Sequence, residues 1–187
     1  MLNSKSKIII IIAILAGIFG GVVFMEDDID IIDHQITYKN ATTITGVGFS
    51  SDSGNNTQLI SEINNGYWVG VEQNTPWQIY IYFTNVTEKI RYVETMHKYN
   101  STGAATNHIV TRYIWCVAHN DWIAIEEFTN ENNWFYLPKV LVDSDHFVLP
   151  NQTVIIKYDH PATGNVAHRL NIDVSRLVYV ENIVMKD

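Results

Sequence analysis

Cysteine is nearly missing from this chain: Cys116 is the only one. A single thiol excludes an intramolecular disulfide, so the folded part must be held by burial and hydrogen bonding. Basic residues are also scarce, with 12 Lys and Arg against 20 Asp and Glu. The imbalance is uneven. Residues 1–25 hold Lys5 and Lys7 and no acid, whereas residues 26–187 hold ten basic and twenty acidic side chains. An acidic domain lacks the basic patch that nucleic acid or anionic lipid requires. Several catalytic signatures are absent too. There is no Gly-x-Ser-x-Gly elbow and no Gly-rich phosphate loop, and the carboxylates are scattered over expected turns and outward faces. The expectation is a protein that is not an enzyme and needs no cofactor.

Long apolar runs are lacking as well, with one exception. Ile8 to Met25 is eighteen uncharged, mostly apolar residues, preceded by lysines and followed by Glu26, Asp27, Asp28, Asp30 and Asp33. As a helix it reaches roughly 27 Å, enough for the hydrocarbon core of a bilayer. The competing reading is a cleaved signal, which has a shorter apolar region and a small-x-small cleavage site. Val23, Phe24 and Met25 are bulky, which favours an uncleaved anchor. Positive charge stays inside, so residues 1–7 are expected in the cytoplasm, 8–25 in the membrane and everything from 26 outside. Gly17, Gly20 and Gly21 lie within the run, and small residues let helices approach closely in lipid. The type IV pilin and archaellin pattern is not met, because no small residue stands at Lys7-Ile8 and no acid follows until Glu26.

Residues 26–35 are an acidic stem. From 36 to 187 the chain changes to short runs of Val, Ile, Tyr, Trp and Thr broken by Asn, Gly, Asp and Pro, which is strand language. Trp77–Phe83 alternates strictly, and so does Thr153–Asp159, with Val154, Ile156 and Tyr158 expected inward. Gln58–Ile63 and Tyr67–Glu72 flank Asn64-Asn65-Gly66, a turn sequence that tolerates positive φ. Lys89–His97 is expected to pair with Trp77–Phe83 across Asn85, and Pro138 demotes Trp134–Val142 to an edge or bulged strand. These runs predict an all-β antiparallel sandwich of about nine strands, mostly joined by hairpins. The turn-plus-strand at Leu149–Ile156 resembles one that recurs in immunoglobulin-like exported domains. In plan, the anchored sandwich is similar to the subunits that brace archaeal surface filaments.

The expected function is that of an accessory or structural subunit of a membrane or cell-envelope complex, acting by contact with other subunits. The alternative is a cell-surface module that binds glycan or protein. For glycan, the aromatics to consider are Trp68, Tyr80, Trp122 and Trp134. Metal is not expected, but two groups of ligand-type residues stand out. Cys116 with His119 and His108 resembles part of the two-His, one-Cys set of cupredoxins. It departs from that pattern because the Cys is mid-strand and no Met follows. His160 and His168 flank the Pro161–Asn165 turn beside Asp159 and offer a zinc pair. The acidic pairs Asp143/Asp145 and Glu126/Glu127 lack a calcium-loop signature. Five glycosylation sequons begin at Asn40, Asn55, Asn85, Asn100 and Asn151.

Overall fold

Strict alternation of side chains builds this fold, because apolar residues at every second position leave each strand with one buried face. The computed structural model describes residues 32–100, 108–129, 132–141 and 144–184. His34–Ile183 form one compact unit; residues 1–31 and 185–187 lie outside the described residues. The expected anchor at 8–25, with Gly17, Gly20 and Gly21, is among those outside. No helix of the described residues is long and apolar enough to cross a membrane.

The strands are β1 (Ile32–Asn40), β2 (Thr43–Val47), β3 (Phe49–Ser50), β4 (Trp68–Glu72), β5 (Trp77–Phe83), β6 (Ile90–Asn100), β7 (Ile109–Cys116), β8 (Asp121–Thr129), β9 (Trp134–Val140), β10 (Val154–His160) and β11 (Arg169–Val184). One sheet runs β3-β4-β11-β6-β9, with β1 also paired to β11; the other runs β2-β5-β10-β7-β8. The sandwich is therefore all-β and antiparallel, with eleven strands among the described residues rather than about nine. β1 begins inside the stretch expected to be stem.

The expected hairpins are mostly absent. Among the described residues only β3–β4 and β7–β8 pair with their neighbours in sequence. From β4 onward the chain crosses repeatedly between sheets, so β4, β6, β9 and β11 share one and β5, β7, β8 and β10 the other. This is a jelly-roll order, and it replaces the immunoglobulin-like plan. β5 and β6 never pair: β5 lies between β2 and β10, and β6 lies between β11 and β9. Thr57–Ile60 is a 3-10 turn capped by the Asn56 side chain, not a strand. Asn64 and Gly66 do take positive φ, 67° and 116°, and Pro138 does fall on an edge strand, β9.

The two inner faces meet in a core that includes Trp68, Val93, Leu170 and Ile172 from one sheet and Trp77, Ile79, Ile81, Ile114 and Ile156 from the other. Each such side chain contributes about 1.5–3 kcal/mol by leaving water. The core also encloses polar groups. Arg112, 1% exposed, pairs with Glu126 at 3.2 Å. A bulge in the β7–β8 ladder, after Arg112, sets that register. His97 is fully buried against the Phe128 ring, at 4.1 Å between centroids.

Candidate functional site

The outer face of the β2-β5-β10-β7-β8 sheet is aromatic. Alternation along β5 buries Trp77, Ile79, Ile81 and Phe83 and turns Gln78, Tyr80 and Tyr82 outward. The same alternation on β7 turns Tyr113 and Trp115 outward, and Trp115 lies opposite Trp122 of β8. Tyr80 stacks with Tyr82 at 6.5 Å, Trp122 leans to 6.0 Å from Tyr80, and Trp115 meets Trp122 edge-on at 5.2 Å. The half-buried rings of Tyr82, Tyr80, Trp122 and Trp115 thus form a continuous row across the sheet.

Polar groups are held within this row. Lys157, between β5 and β7, places its Nζ 4.6 Å from the Tyr113 ring and 4.7 Å from the Trp122 ring. The alternation sends Lys157 outward, yet it is only 8% exposed, with its ammonium set against those rings. Its ammonium lies 3.6 Å from Asp159, Gln78 donates to Asp159 at 2.9 Å, and the Tyr80 hydroxyl donates to Gln78 at 2.5 Å. Burial, and then the Asp159 carboxylate, push the Tyr80 phenol above its ordinary pKa, so it remains a donor at neutral pH. Apolar ring faces thus stand beside a fixed chain of donors and acceptors.

A second cluster lies at the end of the sandwich where β4, β6 and β10 finish and β7 and β11 begin. Glu72 closes β4, His160 closes β10, His108 precedes β7 and His168 precedes β11. His108 Nδ1 faces His160 Nε2 at 2.9 Å, with the two rings stacked 4.9 Å apart. His168 packs edge-on to His108 at 4.5 Å and sets its Nδ1 3.5 Å from Glu72 Oε2. The Tyr99 hydroxyl donates to Glu72 Oε1, and the Asn165 amide donates to Oε2 at 2.7 Å. Trp77 stacks on His160 at 5.3 Å. Gly164 lets the 161–168 turn close over this end, since a Cβ there would lie 2.3 Å from the Gln73 carbonyl oxygen. Burial holds His160 and His168 below the ordinary imidazole pKa, although Glu72 opposes the shift in both. The same burial raises the Tyr99 phenol.

The residues singled out in the sequence are distributed as follows. Tyr80 and Trp122 share the aromatic row. Trp134 lies on the other sheet beside Tyr67, at 5.6 Å. Trp68 is in the core, 1% exposed, with its indole N–H donating to the Gly54 carbonyl at 2.8 Å, so it offers no binding surface. His160 and His168 do come together, but through a crossing between sheets rather than a hairpin. His108 joins them and is separated from Cys116 by the length of β7, about 25 Å at 3.3 Å per residue. Cys116 is not mid-strand but ends β7, and the turn that follows brings His119 Nδ1 back to 3.0 Å from Sγ. Glu126 is committed to Arg112. Asn40, Asn55, Asn85 and Asn151 are exposed, while Asn100 is half-buried with its Oδ1 covered. Sequence reasoning missed Glu72, Tyr82, Trp115 and Lys157. Alternation on β5, β7 and β10 would have found the last three, whereas nothing in the sequence links Glu72 to the histidines.

The chain matches no protein-family model and no curated protein. Solved structures that it is similar to include carbohydrate-binding modules. A family 29 carbohydrate binding module is 11% identical, with 80% of this chain and 88% of that chain covered, at a TM-score of 0.46. A mutant of such a module is 13% identical over 80% of this chain and 92% of that one, at 0.47. Another mutant, complexed with cellulohexaose, is 11% identical over 80% and 91%, at 0.46.

Proposed function

We propose that this is a non-catalytic glycan-binding module, held at the outer surface of a cell membrane by residues 8–25. The observation that carries the reading is the row Tyr82, Tyr80, Trp122 and Trp115 on one open sheet face, with Lys157, Asp159 and Gln78 set among the rings. Sugar rings have apolar C–H faces that stack on aromatic rings, and equatorial hydroxyls that need side-chain donors and acceptors. The Lys157 charge is balanced by Asp159, so the face suits a neutral oligosaccharide or polysaccharide. Binding is tested with the full chain in mild detergent, on a glycan array and then by tryptophan fluorescence titration. A neutral glycan should quench or shift the indole emission, and Trp122→Ala should weaken binding roughly 30-fold while Trp134→Ala leaves it unchanged. Absence of binding to every glycan at high concentration would end this reading.

A second reading, a structural subunit of an envelope complex, rests on the other sheet. Its outer face exposes Trp134, Tyr136 and Val140 at 37%, 50% and 55%, enough apolar surface for contact with another protein. A stoichiometric partner recovered after mild detergent extraction, and lost in Tyr136→Lys, supports it; recovery as a lone monomer counts against it.

A further inference from the structure

The buried histidine end of the sandwich takes no part in the aromatic face. The geometry points to a binding site there for a divalent transition-metal ion, with one oxygen of Glu72 and one nitrogen each of His108 and His160 as ligands.

Four features support the assignment. The three donor atoms all lie within 4.8 Å of one another. Donors bound at about 2.0–2.2 Å around one tetrahedral ion stand roughly 3.4 Å apart, so shifts of about an ångström at the side-chain tips complete the site. Second, the donor set has the right chemistry. Two imidazoles and a carboxylate suit zinc and its first-row neighbours, whereas calcium and magnesium require oxygen ligands throughout.

Third, the carboxylate of this cluster lacks a counter-charge. Glu72, 2% exposed, has no lysine or arginine ion pair among the described residues. A buried carboxylate without a cation is costly, and a divalent ion supplies the missing charge. Fourth, the groups around the ligands are arranged as an outer shell. Tyr99 and the Asn165 amide fix the Glu72 carboxylate, Trp77 stacks on His160, and His168 presents Nδ1 to the same carboxylate. Partners of this kind set ligand orientation and are worth about 10–100-fold in metal affinity. Half-buried His108 leaves the ions a way in.

The test uses the tag-free full chain in detergent, stripped with chelator and titrated with zinc by calorimetry, with cobalt(II) absorption as a second probe and calcium as a control. The expected result is one equivalent of zinc, cobalt bands of a nitrogen- and oxygen-ligated ion, and no calcium uptake. His108→Ala, at a half-buried position, should lose zinc binding by more than the about 10–100-fold expected of Tyr99→Phe, with an unchanged far-UV spectrum confirming the fold. Should His108→Ala not fold, the milder His108→Gln serves in its place. Failure of the folded wild-type chain to take up zinc or cobalt, calcium uptake in place of zinc, or undiminished binding in the His108 variant would each overturn the assignment.

Discussion

The fully buried His97 makes acid stability a quantitative test of the packing. Its ring lies on the inner face of β6 between β11 and β9, 4.1 Å from the Phe128 ring, 5.9 Å from Tyr158 and 6.4 Å from Phe135. Neither ring nitrogen has a hydrogen-bond partner. Burial first, and the Arg112 guanidinium second, push its pKa down from 6.5 to about 3. A base whose folded pKa lies below its unfolded value binds fewer protons folded than unfolded between the two. The stability is therefore fully present above about pH 6.5 and is lost progressively as the pH falls toward 3. Between pH 7 and pH 5 this one group should cost about 2 kcal/mol. The perturbation is His97→Leu, which removes the proton site and keeps an apolar side chain. Denaturant unfolding of both proteins at pH 7, 6 and 5 isolates the effect, because His160 and His168 remain in both and cancel in the difference. The stability of the variant relative to wild type should rise by about 2 kcal/mol over that interval. Parallel pH profiles for the two proteins, or a His97 resonance titrating near 6.5 in the folded state, would refute the reasoning.

Three other perturbations probe the remaining parts of the molecule. Glu126→Gln leaves the buried Arg112 charge without its partner and should destabilise the fold by about 3–5 kcal/mol, read from the denaturant midpoint; a change below about 1 kcal/mol would mean that water reaches the guanidinium. Gly164→Ala brings a Cβ to 2.3 Å from the Gln73 carbonyl and should cost about 1–3 kcal/mol as the turn is forced outward, while weakening zinc uptake, because the same turn carries Asn165 and His168. Trp122→Ala should reduce the affinity of the aromatic face for its glycan by about 2 kcal/mol or more, roughly 30-fold, measured by fluorescence titration against Trp134→Ala.

Alternation was enough to place most strands and to sort inward from outward residues, because the pleat has a period of two. Val154, Ile156 and Tyr158 face the core as their spacing requires, and Pro138 sits on an edge where its missing N–H breaks no ladder. Tyr80 was legible as a surface aromatic for the same reason, whereas Trp122 lies on β8, whose burial does not alternate. Trp68 was not legible, since an indole flanked by half-exposed neighbours does not announce whether another sheet covers it.

Partner choice lay beyond local pattern. The link between Phe83 and Ile90 has the length of a hairpin loop, yet it crosses from one sheet to the other. Both routes bury the same apolar residues, and only the closing of the whole sandwich selects between them. The apolar stretch at 8–25, the acidic balance of residues 26–187 and the strand character of residues 36–187 are properties of the sequence itself, because each depends on composition or short-range period. The aromatic row and the histidine cluster depend on which strands lie side by side. Glu72, His108, His160 and His168 sit at the ends of four separate strands, and they meet only because a jelly roll brings those strand ends to one end of the sandwich.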